Sequence, residues 1–197
     1  MSKPPILIVY IPGLGDGYDK YRRHSLKYWS KPGVEAIHFA SRWSDQDETL
    51  HEKIDRLRSQ IDGRPKGASV VLVGESAGGA LSLVARSMIN DISGVVTVCG
   101  MNQGENNVSP VLYRANPAFK ETMRAVDQLL PATGEKDLVR TITIYSVNDF
   151  TVRPRNSRIK GVRSVKLHAP GHLLSIAYVL AMRGGLVRRL AYELVGA

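Results

Sequence analysis

The residues best placed to do chemistry are Gly74-Glu75-Ser76-Ala77-Gly78, a Gly-x-Ser-x-Gly pattern that comes directly after the apolar run Val70, Val71, Leu72, Val73. A hydroxyl at the tip of a tight strand-to-helix turn stands clear of the backbone, where it can meet both a substrate and a base. Such a turn strains the serine, and the positions two before and two after it pass so close to neighbouring backbone that a Cβ would collide. Gly74 and Gly78 occupy those positions. After Gly79, Ala80, Leu81, Leu83 and Val84 continue apolar at near-helical spacing, so a strand precedes the pattern and a helix succeeds it. That context separates it from a Gly/Ser-rich turn without chemical consequence. The chemistry implied is attack by Ser76 on an acyl carbon, which requires a base, an acid and oxyanion donors from elsewhere in the chain. Glu75 has no role legible at this level.

The elements that must position these groups are written in the apolar pattern. A continuous apolar run rich in β-branched residues predicts a buried strand at 6–11, and apolar segments predict further strands at 34–40, 70–73, 94–99, 139–145 and 162–167. Helical spacing covers 18–30, 48–61, the segment after Gly79, 117–130 and a region beginning at His172 that Gly184 and Gly185 divide before Leu186–Leu194. The alternation predicts an α/β fold with a predominantly parallel sheet of about six strands and helices on both faces. Residues 101–138 interrupt it and are long for a connection, as functional insertions tend to be. In such a sheet the active groups gather at the carboxyl ends of the strands, here the loops 12–17, 74–78, 100–105, 146–152 and 168–172.

The 197 residues suffice for one well-filled core, so a single domain over 1–197 is expected. A hydrophobic fraction of 43% and a charged fraction of 23% exclude disordered and fibrous classes. Ile6 to Ile11 is too short for a signal core or a membrane span, and the single cysteine, Cys99, reads as a core thiol; together they suggest a cytoplasmic protein without a membrane span. The net charge of +9 is scattered apart from Arg153, Arg155, Arg158, Lys160, Arg163 and Lys166. No nucleic-acid module or aromatic platform accompanies it, so a solvated basic face is expected and no nucleic acid. Arg153 and Arg155 remain candidate contacts for an anionic substrate.

The Gly74–Gly78 elbow and the chain order of the groups after it resemble the α/β-hydrolase family, in which the serine comes first, then the acid, then the histidine. The resemblance implies a minimal version of that fold, with 101–138 as a small cap favouring a short or accessible acyl substrate. Asp149, three residues before Val152 in the loop after strand 139–145, is similar to the family's acid, with Glu105 as a substitute. Gly171-His172, at the start of the last helical region, looks like the family's base. His168 is the rival, but its place at the strand end would point it into the sheet packing. His24, His38 and His51 fall in segments read as helix or surface. The resemblance assigns the oxyanion donors to the backbone N–H groups of Leu14 and Ala77. Pro12-Gly13-Leu14-Gly15 stands where many members carry His-Gly-x-Gly, and Pro12 departs from that form.

The expected function is hydrolysis of carboxylic esters, with thioesters and activated amides as neighbours, through an acyl-Ser76 intermediate. The partner is a small-molecule ester or acyl substrate; the oligomeric state is not legible. The alternative is a non-catalytic protein of the same fold that binds a small molecule or a protein partner. No metal and no cofactor are expected. The histidines lack the spacing of zinc helices, and Tyr18 stands where Gly13-Leu14-Gly15 would need the last glycine of a dinucleotide fingerprint.

Overall fold

The computed structural model describes residues 4–134 and 138–196. Its six strands are β1 (Ile6–Ile11), β2 (Val34–His38), β3 (Ser69–Glu75), β4 (Ile92–Val98), β5 (Thr141–Asn148) and β6 (Arg163–Pro170). All pair in parallel, in the order β2-β1-β3-β4-β5-β6. The helices among the described residues are α1 (Asp19–Leu26), α2 (Leu50–Asp62), α3 (Ala77–Met88), α4 (Pro110–Ala115), α5 (Pro117–Ala132), α6 (Pro154–Ser157), α7 (His172–Met182) and α8 (Gly184–Val195).

Period-two alternation divides the strand side chains between two cores. Ile6, Ile8, Tyr10, Val71, Val73 and Val96 meet α1, α7 and α8 on one face. Leu7, Val9, Ile11, Val70, Leu72 and Val95 meet α2, α3 and α5 on the other. The chain leaves β1 toward the first face and β3 toward the second. A crevice therefore opens where the strand order reverses, beyond the carboxyl ends of β1 and β3, and such switch points are where open α/β sheets place their sites. Ile11 pairs with Gly74 at that point, so the loop after β1 and the turn after β3 emerge side by side.

Helix starts reflect local chemistry. The Thr49 hydroxyl accepts from the Glu52 N–H at 3.3 Å while Glu52 Oε2 accepts from the Thr49 N–H at 2.8 Å, a reciprocal cap that fixes where α2 begins. The break between α7 and α8 falls at Arg183, and Gly184 packs against the Trp29 ring, where a Cβ would come within 2.6 Å of its Cδ1.

Several expected boundaries move: β2 stops at His38 instead of 40, β3 spans Ser69–Glu75 instead of 70–73, and β4 spans Ile92–Val98 instead of 94–99. β5 and β6 run on to Asn148 and Pro170, beyond 145 and 167, and β5 starts at Thr141 instead of 139. β6 lies at the sheet edge with one face toward solvent, so its polar residues belong to the strand pattern instead of ending it. Within 101–138, α5 buries Phe119, Met123 and Val126 against α2 and α3 and forms part of a core layer. Each such side chain contributes about 1.5–3 kcal/mol by leaving water. Met123→Ala should therefore lower the unfolding free energy by about 2–5 kcal/mol in urea titration, whereas Val111→Ala on α4, where Val111 is 61% exposed, should change it by about 0.5 kcal/mol or less. Equal effects would contradict the core position of α5.

Candidate active site

Ser76 comes immediately after β3 and takes φ 48°, ψ −120°, a region that L-residues rarely adopt. Its N–H donates to Val98 O at 3.1 Å, and its C=O accepts from Gly79 N–H at 3.0 Å and Met101 N–H at 2.8 Å. The turn depends on two absent side chains: a Cβ on Gly78 would run into the backbone oxygen of Ile11, and one on Gly74 into that of Gly78. Backbone thus meets backbone on both sides of the serine.

The hydroxyl so presented meets a histidine. Ser76 Oγ lies 2.9 Å from His172 Nε2, and His172 Nδ1 lies 2.6 Å from Asp149 Oδ2. A carboxylate only accepts, so the bond to Asp149 assigns the ring hydrogen to Nδ1 and leaves Nε2 to accept the Ser76 hydrogen. Asp149 Oδ1 accepts from the N–H groups of Thr151 at 3.0 Å and Val152 at 2.8 Å, which orients the buried carboxylate. The longer strands explain the meeting. Asn148 pairs with Pro170, and Gly171 N–H donates to Asn148 O at 3.2 Å, so Asp149 and His172 leave adjacent strands one and two residues beyond a shared register point.

The rivals lie elsewhere. His168 is inside β6 and exposed, facing a groove with Tyr178 and Arg183 instead of the sheet interior expected from its sequence position. Glu105 pairs with Arg124 at 3.6 Å. His38, read as a surface or helix residue, is the last residue of β2, with its side chain buried 3.3 Å from Asp19; burial pushes its pKa down. Ala77 opens α3, so its N–H has no partner within the helix. Leu14 is half-buried in the loop after β1, beside Gly13, whose added Cβ would come within 2.7 Å of Ser76 Cβ.

Two further residues lie beside the site. Cys99, read as a core thiol, is buried in the core just past β4 with φ 47°, and its sulfur also lies within 4.8 Å of the ligand atoms of Asp149 and His172, a proximity the sequence does not show. Burial, with Asp149 adding to it, pushes its thiol up to about 12. These three donors suit a metal poorly. Both Asp149 oxygens and His172 Nδ1 are engaged by one another or by backbone, and the thiol holds its proton. Glu75 is buried against Tyr10, Arg22 and the Gly13 N–H. Burial pushes its carboxyl up and the Gly13 N–H opposes this, while the Arg22 guanidinium on Oε1 draws it toward the ionised form.

Two grooves flank the site. One, of about 310 Å³, runs between α1 and α7 with Tyr18, Tyr21 and Ile176 on its walls; Glu75 and Leu173, sequence neighbours of Ser76 and His172, also line it. The other, of about 240 Å³, includes Met101, Phe150, Arg153 and Arg155. The basic residues from Arg153 to Lys166 are otherwise exposed at the surface.

The fold is that of the α/β-hydrolases. The chain is similar over its whole length to Est1E from Butyrivibrio proteoclasticus, with a TM-score of 0.64, 12% identity and 90% of that chain covered. A metagenomic carboxyl esterase aligns with all of this chain and 76% of its own, at 16% identity and a TM-score of 0.65. The monoacylglycerol lipase of Paleococcus ferrophilus covers 95% of this chain and 94% of its own, at 16% identity and a TM-score of 0.63. No family model matches the sequence, and no curated relative is found for it. No helix among the described residues is long and apolar enough to cross a membrane.

Gly78→Ala should lower stability by about 1–3 kcal/mol or more, because the Ile11 carbonyl cannot yield without breaking the β1–β3 register; an unchanged melting temperature would contradict the close approach. Cys99, a protonated buried thiol, should resist iodoacetamide at pH 8 in the native protein and react fully in urea. Rapid native alkylation, read by mass spectrometry, would contradict that environment.

Proposed function

We propose that the protein is a serine hydrolase acting on carboxylic esters, with thioesters and activated amides open to the same chemistry. The observation that carries the reading is the hydrogen-bonded series Ser76 Oγ, His172 Nε2, His172 Nδ1, Asp149 Oδ2 at 2.9 and 2.6 Å. In this mechanism Ser76 Oγ attacks the acyl carbon while His172 Nε2 takes its proton. The oxyanion forms against the N–H groups of Ala77 and Leu14. Asp149 stabilises the imidazolium, which gives its proton to the departing alcohol as the acyl–oxygen bond breaks. Water, deprotonated by His172, then attacks the acyl-Ser76 ester, and the imidazolium returns the proton to Ser76 Oγ as the acyl–Oγ bond breaks and the acid is freed.

The esterase and lipase relatives in fold support a small-molecule acyl substrate, and the reading needs no cofactor, metal or nucleic acid. We take 1–197 as one hydrolase domain; of the small cap expected over 101–138, only the part ahead of α5 is proposed to serve as one, because α5 packs into the core. Arg153 and Arg155, on the groove with Met101, are proposed contacts for an anionic acyl group. The cysteine usage suits a cytoplasmic location.

Ser76→Ala should lower turnover of a chromogenic ester by about six orders of magnitude. A fluorophosphonate should label Ser76 in the wild type and fail to label His172→Ala; an inert, folded wild type would favour a binding protein instead. Replacing Arg153 and Arg155 together by Gln should reduce the preference for acidic over neutral acyl groups by about threefold to fivefold, the range expected for exposed charges. Unchanged selectivity would return both to a solvated face.

A further inference from the structure

The loop that carries Leu14 is held from both sides by a buried ion pair, and one member of that pair is the residue before Ser76. Glu75 is 2% exposed and Arg22 6%. Glu75 Oε1 accepts from the Gly13 N–H at 3.1 Å and from Arg22 Nη2; Oε2 accepts from the Tyr10 hydroxyl. Arg22 in turn donates to Gly15 O at 2.8 Å and Leu14 O at 3.4 Å, and to Asp19 Oδ1 at 3.0 Å. Upstream, Pro12 O accepts from Trp43 Nε1 at 2.9 Å and Ser41 Oγ at 3.3 Å. Downstream, the Asp16 carboxylate accepts from the N–H groups of Trp43 at 3.1 Å and Ser44 at 3.0 Å.

These bonds fix the N–H before Leu14 and the carbonyl after it, and none of them uses the Leu14 N–H itself. The peptide plane that carries this donor is therefore bracketed, its direction set by a carboxylate on one side and a guanidinium on the other. A planar guanidinium suits the task, because its fork reaches several acceptors in fixed geometry. The carboxylate belongs to β3, so the same side chain refers the loop to the strand that presents Ser76.

We propose that Glu75 and Arg22 are positioning residues that hold the Leu14 N–H on the developing oxyanion. The proposal rests on the reading of Ser76 as nucleophile and Leu14 as oxyanion donor. Removing one oxyanion donor lowers kcat by about 10²–10³ in related acyl-transfer sites, because the donor acts on charge that exists only at the transition state.

The test compares wild type, Glu75→Gln, Glu75→Ala and Arg22→Lys on a chromogenic ester, with rates normalised to sites titrated by a fluorophosphonate. Glu75→Gln keeps the size and an acceptor for Gly13 while removing the charge that holds Arg22, and it serves if Glu75→Ala fails to fold. The expected result is a loss in kcat of about tenfold to a hundredfold in Glu75→Gln and Arg22→Lys, with KM within about threefold. Affinity for a trifluoromethyl ketone, whose adduct with serine bears the oxyanion, should fall by the same factor as kcat/KM. A merely structural role would lower the number of titrated sites and leave kcat per site and ketone affinity unchanged, and that outcome overturns the inference. So do wild-type kinetics in Glu75→Gln. A folded wild type that neither hydrolyses esters nor takes the label overturns the underlying reading as well, which keeps the two failures apart.

Discussion

The rest of the site depends on the close approach of backbone at the turn after β3. Gly78 lies against the Ile11 carbonyl and Gly74 against that of Gly78, so the chain reverses within the width of a peptide and lifts the Ser76 hydroxyl above the sheet. A non-glycine residue at positive φ costs about 1–3 kcal/mol. Three backbone hydrogen bonds to the N–H and C=O of Ser76 offset that strain at about 0.5–1.5 kcal/mol each. The strain is thus local and is borne by the pairing of β3 with β1 and β4, the centre of the sheet and the part least able to shift.

From that fixed point the site is assembled by strand register. Ile11 beside Gly74 sets the loop of Leu14 next to the serine, and Asn148 beside Pro170 sets Asp149 next to His172. Side-chain hydrogen bonds then refine what register places roughly. Two backbone N–H groups orient Asp149, and the Glu75–Arg22 pair ties the first loop to β3. A site built on strand ends and backed by buried charged side chains is pre-organised, which is what the proposed stabilisation of an oxyanion would need.

Much of this was legible in the sequence, for a physical reason. The elbow needs glycine at two fixed positions and a strand and helix around it, all of which are local patterns. The order of strands, and so the sheet, is set by apolar runs. Asp149 and His172 could be named because each stands just past a strand. What escaped lies in long-range contact. β6 outlasted its apolar run because an edge strand needs apolar residues on one face only. α5 could be read as helical, but its burial against α3 is a tertiary fact. Glu75 meets partners 53 and 65 residues away, in α1 and β1, and Cys99 meets Asp149 and His172 across two strands; no periodicity within one segment encodes such meetings.

The central claim is that Ser76 becomes covalently acylated during turnover. Its most direct test is to mix the protein with a p-nitrophenyl ester, quench in acid within the first turnover, and locate any added mass by peptide mapping. The expected result is one acyl group on the peptide containing Ser76, formed with about one equivalent of p-nitrophenol released per chain as deacylation limits the rate. Sustained hydrolysis without acylation of that peptide, in enzyme quenched while substrate is saturating and release shows a burst, would contradict it.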